Sequence, residues 1–285
     1  MQKKFTFKGF MAPVFTPFDA NGAVNLDIIP QYADYLKQKG IEAVLVNGTT
    51  GEGMSMSVEE RKSVAEKWFV ETRRLNITMM VQIGGTTSAD VFELAKHAEQ
   101  LGVEAVLVLP QLYMKPKTED ELVDYLTDVS SHCKNTPLFY YHIPKYTNVQ
   151  LNISRIISLA KSRISNFTGV KDSSSNLEQI VHAIDSNVTI FLGTNAILLA
   201  SLALGFDSFI LTPLNIYPEM SQAIKEWLSE GNLSAARQLQ MELNVKIREI
   251  TLKGQFTAAM KAKFNEVVKE FNVGGVRSPL KTVLN

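Results

Sequence analysis

Glu42-Ala-Val-Leu-Val-Asn-Gly-Thr-Thr-Gly-Glu-Gly-Met-Ser-Met-Ser-Val-Glu-Glu-Arg61 contains a whole strand-to-helix passage. Glu42–Asn47 is nearly all apolar, and a run without polar alternation suits a strand covered on both faces. Gly48 and Gly51 then bracket two threonines in a turn. Ser57-Val-Glu-Glu60 reads as a capping box, in which Ser57 accepts from the amide three residues on and Glu60 reaches back. It opens a helix over Val58–Thr72. A buried strand delivered into a capped helix is one half of a βαβ unit, the connection that parallel strands require.

Working outward, the same unit recurs. Strands are expected at Met11–Thr16, Ile77–Ile83, Ala105–Leu109, Leu138–His142, Thr168–Lys171, Thr189–Leu192 and Ser208–Thr212, which with Glu42–Asn47 makes eight. Amphipathic stretches separate them. Ser88 precedes a helix over Ala89–Leu101 that Gly102 closes, Asn152 or Ser154 caps the helix after the fifth strand, and Ser175 or Asn176 the one after the sixth. Leu233–Ile250 and Phe256–Phe271 read as two further helices with no strand between. Strict alternation leaves a closed (β/α)8 TIM barrel or an open doubly wound sheet. Eight strands favour closure, and Thr16-Pro-Phe-Asp-Ala-Asn-Gly22 is no dinucleotide-binding fingerprint. The expectation is a single domain over 1–285, with the barrel to about residue 230 and C-terminal helices from about 231 onward.

The chain is 45% hydrophobic, and its 29 basic and 29 acidic residues are scattered. That pattern argues against nucleic acid and against a polybasic membrane patch. The single cysteine, Cys133, ends a helical pattern and reads as a structural thiol. No HExxH, EF-hand or paired-cysteine pattern indicates a metal. The N-terminus lacks the apolar core of a signal peptide and no apolar run is long enough to span a bilayer, so a cytoplasmic location is expected.

In a barrel, residues at carboxyl strand ends face the active-site mouth. Lys171 ends the sixth strand in Phe167-Thr-Gly-Val-Lys-Asp-Ser-Ser-Ser175. Burying it there disfavours the ammonium and so favours the free amine, the form that attacks a carbonyl. The alternative is a lysine paired with Asp172 or snorkelling outward. Tyr141 closes the fifth strand in Pro137-Leu-Phe-Tyr-Tyr-His-Ile-Pro-Lys145, where a phenol can relay protons or simply fill the lumen. Alternation turns Tyr140 and His142 to the opposite face. The turn Asn47-Gly-Thr-Thr-Gly-Glu-Gly53 can gather amides and hydroxyls about a carboxylate, or can be an ordinary βα turn. In that turn Glu52 suits a proton carrier or a capping role equally.

These three segments together resemble the dihydrodipicolinate synthase/N-acetylneuraminate lyase family of pyruvate-dependent barrels. The resemblance runs from Met11-Ala-Pro-Val-Phe-Thr-Pro-Phe18 to about Met220. Within the family, Val46–Ser57, Val58-Glu-Glu-Arg61 and Tyr140-Tyr-His-Ile-Pro144 look most like animal-type N-acetylneuraminate lyases. The resemblance implies a class I aldolase with no cofactor, whose Lys171 forms an imine with pyruvate. It makes Tyr141 the proton-transfer phenol and assigns Thr49 and Thr50 to the pyruvate carboxylate. Tyr113, in Pro110-Gln-Leu-Tyr-Met-Lys-Pro116, is matched to a tyrosine lent to a neighbouring subunit, and a homotetramer is implied. The expected reaction is reversible cleavage of N-acetylneuraminate to pyruvate and N-acetylmannosamine.

The chain departs from the pattern after strand seven. There Gly193-Thr-Asn-Ala196 keeps the substrate-side Gly193 and places Asn195 where an aspartate is expected, while Ala196 deletes a glutamate. An acceptor lost against a buried hydroxyl costs about 1–3 kcal/mol. After strand eight, Thr212-Pro-Leu-Asn215 keeps a substrate-side hydroxyl at Thr212 and the final asparagine. A smaller 2-keto-3-deoxy acid is therefore the alternative substrate. Dihydrodipicolinate synthase comes third, because Tyr146 stands where its arginine would. A catalytically silent sugar-acid or 2-keto-acid binding paralogue is the non-enzyme reading.

Overall fold

The computed structural model describes residues 4–184, 187–281 and 283, so Met1, Gln2 and Lys3 of the N-terminal stretch read above lie outside the described residues. The strands are β1 (Phe10–Pro13), β2 (Ala43–Val46), β3 (Thr78–Gln82), β4 (Ala105–Val108), β5 (Leu138–His142), β6 (Phe167–Asp172), β7 (Thr189–Leu192) and β8 (Ser208–Ile210). They neighbour one another in chain order and close as a barrel. Pairing is parallel between β1 and β2 and from β3 through β8. Helices stand between them, so the expected (β/α)8 barrel with C-terminal helices is the fold.

The helices are α1 (Ile29–Gln38), α2 (Val58–Leu75), α3 (Ser88–Leu101), α4 (Glu119–Ser130), α5 (Pro144–Thr147), α6 (Ile153–Arg163), α7 (Leu177–Ile180), α8 (Leu198–Ala203), α9 (Pro218–Ser229), α10 (Leu233–Thr251) and α11 (Phe256–Val267). Local chemistry explains most starts. The Ser57–Glu60 capping box forms, Asn152 caps α6 and Asn176 caps α7. Gly102 takes the left-handed conformation that ends α3.

Several boundaries differ from expectation. Thr87, not Ser88, caps α3, because Thr87 keeps an extended backbone and its hydroxyl reaches the Asp90 amide. β1 and β8 end at Pro13 and Ile210 although Val14–Thr16 and Leu211–Thr212 stay buried. Apolar residues report burial there more than ladder pairing, although the Val14 amide still donates to the Leu45 carbonyl of β2 at 3.0 Å. α11 stops at Val267 instead of Phe271. Beyond it the chain folds back on Asn265, whose side chain accepts from the Val273 amide and donates to the Gly274 carbonyl.

By internal contact the chain divides into two compact units. The first comprises Met1–Gly9, Met79–Thr194 and Leu204–Ile210. Its interior includes a ring cluster of Phe5, Phe139 and Phe191, with centroids 5.1–6.0 Å apart. The second comprises Phe10–Thr78, Asn195–Ala203 and Leu211–Asn285. Tyr32, Trp68, Phe264 and Phe271 pack together in it. No helix among the described residues is long and apolar enough to cross a membrane.

Candidate active site

In the first unit, β5 and β6 are in register so that Tyr141 opposes Lys171 and His142 opposes Asp172. Side chains alternate along a strand, so the first pair shares one face and the second pair the other. Lys171 is only 4% exposed, and its Nζ lies 4.1 Å from the centroid of the Tyr141 ring. Neither alternative reading of Lys171 holds, since the side chain does not reach solvent and Asp172 has turned away. Two positions earlier on the Lys171 face stands Gly169. A Cβ there would run into the Thr189 carbonyl and come within 2.8 Å of the Phe139 ring. The missing side chain leaves that space to the Phe139 ring.

Behind that face lies a buried polar chain. Asp172 accepts from the Ser174 hydroxyl at 2.9 Å, and its other carboxylate oxygen is 4.0 Å from His142 Nε2. His142 Nδ1 is 3.4 Å from the Tyr140 hydroxyl. Burial raises Asp172 to about 6, lowers His142 to about 4 and holds Tyr140 above its ordinary value. His142 is thus a structural residue, and the sequence alternation had set it and Tyr140 off the Tyr141 face.

The second unit holds the threonines. Asn47 and Glu52 adopt left-handed backbone at φ 58 and φ 54, and the turn between them presents Thr49 and Thr50. Gly53 is required at the turn's close, because a Cβ would strike the Asn47 carbonyl. Thr50 Oγ1 lies 2.8 Å from Thr212 Oγ1, both side chains being buried. Asn215 fixes the turn carrying Thr212. Its amide donates to the Pro13 and Thr212 carbonyls at 2.9 Å, and its oxygen accepts from the Tyr32 hydroxyl at 2.6 Å. The final asparagine of that motif is therefore a bracket rather than a ligand.

Gly193 directly follows β7 in the first unit, where its amide donates to the Asp172 carbonyl at 2.7 Å and a Cβ would collide with Ser173. Asn195 and Ala196 begin a short 3-10 turn in the second unit. Their carbonyls accept from Gln240 and Asn244 of α10, at 3.0 and 3.1 Å. Tyr113 is 80% exposed in its loop, and Tyr146 projects from α5 with 58% exposure. The structure thus brings Lys171 to Tyr141 and Thr50 to Thr212, and leaves Tyr113 on the surface.

Sequence reading missed Lys261 and Arg277. Lys261 donates to Glu52 Oε1 at 2.9 Å and to the Thr16 carbonyl at 2.8 Å, with both charged side chains buried. Burial outweighs Glu52 and lowers Lys261 to about 8. Glu52 is accordingly an ion-pair partner within this turn. Within the sequence Lys261 is one more charge on an amphipathic helix, and only its position between Met260 and Ala262 on an otherwise apolar stretch hinted at burial.

The sequence profile of the Dihydrodipicolinate synthetase family matches residues 6–285. N-acetylneuraminate lyase A of Xenopus laevis is 37% identical over 239 residues, covering 83% of this chain and 78% of that protein. N-acetylneuraminate lyase of Rattus norvegicus is 29% identical over 283 residues, covering 98% and 88%. The solved structure of Proteus mirabilis N-acetylneuraminate lyase superposes with a TM-score of 0.92 at 27% identity, covering 98% of this chain and 94% of that one.

Proposed function

Because this chain belongs to the dihydrodipicolinate synthetase family, we propose that it is a class I pyruvate lyase that reversibly cleaves N-acetylneuraminate to pyruvate and N-acetylmannosamine. The observation carrying this reading is the buried Lys171 amine set over the Tyr141 ring at paired positions of adjacent strand ends. A lysine and a phenol are the nucleophile and proton carrier that the chemistry needs.

Lys171 Nζ attacks the keto carbon, and loss of water leaves a protonated imine. That cation draws the electron pair of the C3–C4 bond, so the bond breaks to an enamine as the C4 hydroxyl becomes an aldehyde. Tyr141 takes the hydroxyl proton, directly or through the substrate carboxylate. Protonation at C3 and addition of water then release pyruvate and restore the amine. Thr49 and Thr50 hold the ketoacid carboxylate through hydroxyl and backbone donors, and Thr212 orients the Thr50 hydroxyl. Gly193 and Asn195 serve the sugar half. No separate cofactor enters this scheme. The exposed Tyr113 is assigned to a neighbouring subunit's site in a cytoplasmic homotetramer.

A smaller 2-keto-3-deoxy acid is the second reading, favoured by Ala196, which offers no side-chain acceptor. Borohydride reduction with pyruvate, followed by intact mass and peptide mapping, tests the chemistry. A reduced adduct is expected on Lys171, and its absence there would sink the imine mechanism and leave the binding paralogue. Pyruvate release from a panel of 2-keto acids then ranks substrates. N-acetylneuraminate is expected to lead, and a short unsubstituted acid in first place would overturn that choice.

A further inference from the structure

We infer that α11 and the segment after it belong to the ketoacid-binding apparatus, with Lys261 a positioning residue for the Thr49–Thr50 turn. The inference rests on the proposed role of those threonines. The turn holds Asn47 and Glu52 in left-handed backbone, a conformation that persists only where the surroundings over-determine it. At Asn47 the side-chain amide donates to the Arg61 carbonyl of α2 at 2.9 Å, and at Glu52 the surroundings come from the C-terminal residues. One Glu52 oxygen accepts from the Lys261 ammonium, and the other accepts from the Arg277 amide at 2.8 Å. Lys261 also donates to the Thr16 carbonyl, while the Thr16 hydroxyl donates to the Gly51 carbonyl at 2.6 Å. Lys261 and Arg277 stand over the Phe18 ring at 4.3 and 4.4 Å. The Arg277 guanidinium continues to Glu60 and to the Ser55 carbonyl.

The turn is thus gripped at Gly51, Glu52 and Ser55 by groups reached through residues 261–277. Stability alone does not explain charge in that place, since well-packed apolar residues of similar volume often replace a buried ion pair without loss. What the pair adds is direction. It fixes the Glu52 backbone, whose amide donates to the Thr49 carbonyl at 3.2 Å.

The test compares the full chain with Lys261→Met and Glu52→Gln by peptide-resolved hydrogen exchange without ligand, and by the pyruvate dependence of borohydride trapping. In both variants, exchange over residues 47–53 is expected to accelerate about tenfold while residues 138–142 and 167–172 keep the parent rate. Half-saturating pyruvate is expected to rise about fivefold or more, with the limiting trapping rate within about twofold. Lys261→Met leaves the buried Glu52 carboxylate without its cation and can cost the fold, in which case the isosteric Glu52→Gln decides the matter. Unchanged exchange at 47–53, acceleration spread evenly over the chain, or a limiting rate falling in step with affinity would each overturn the assignment. Should the parent itself trap no pyruvate, the Lys171 mechanism and the ketoacid role of the turn fall together, and exchange still decides whether Lys261 positions that turn.

Discussion

Lys171 and Asp172 are consecutive, yet strand alternation sends one to the Tyr141 ring and the other to His142 and Ser174. The buried acid and imidazole act on stability with opposite signs. Burial raises Asp172 from 3.8 to about 6, so the folded state binds the extra proton and this contribution is lost as pH rises through that window. Burial lowers His142 from 6.5 to about 4, so its contribution is gained as pH rises over that range and lost as pH falls. In the parent the two largely offset. Asp172→Asn removes the first, and its unfolding free energy is expected to climb with pH between 4 and 6.5 more steeply than the parent's. Urea unfolding at a series of pH values measures that slope, and parallel slopes would refute the opposition. At this scale the sequence was informative, because period-2 alternation alone separated Tyr141 from Tyr140 and His142.

At the scale of elements, β6 depends on a residue with no side chain. Gly169 clears space for the Phe139 ring and the Thr189 carbonyl on the face that carries Lys171. Gly169→Ala is expected to destabilise the fold by about 1–3 kcal/mol, the usual cost of overfilling a packed interior. It is also expected to slow pyruvate trapping by displacing the Lys171 stem. Denaturant unfolding beside trapping kinetics checks both, and a variant as stable as the parent would show that the barrel interior yields there. Helix starts were legible because a cap is a local bond, as at Ser57, Asn152 and Asn176. Strand ends were less so. Val14–Thr16 and Leu211–Thr212 are as buried as the strands they follow, and hydrophobicity does not distinguish a ladder from a buried loop.

Across the whole molecule, distant segments are joined by a few fully buried polar groups. Asn215 ties the turn after β8 to Pro13 and to Tyr32 of α1. Asn215→Ala leaves the Tyr32 hydroxyl, which still accepts from the Phe15 amide, without an acceptor for its proton and takes the Asn215 donor from the Pro13 and Thr212 carbonyls, at about 1–3 kcal/mol for each group left unpaired. Lower stability in denaturant is expected together with weaker pyruvate affinity through the loosened Thr212, and a loss of stability alone would divorce that bracket from binding. From the sequence by itself came the eight βα units, the caps, and the candidacy of Lys171, Tyr141, Thr49 and Thr50, since periodicity, local hydrogen bonds and motif spacing all act over a few residues. The tertiary structure alone decided that Asn215 is a bracket, that Glu52 is an ion-pair partner, and that Lys261 reaches back across 209 positions to hold it. Those roles arise when packing removes water from groups far apart in the chain, and a buried charge declares its partner only once both are dry.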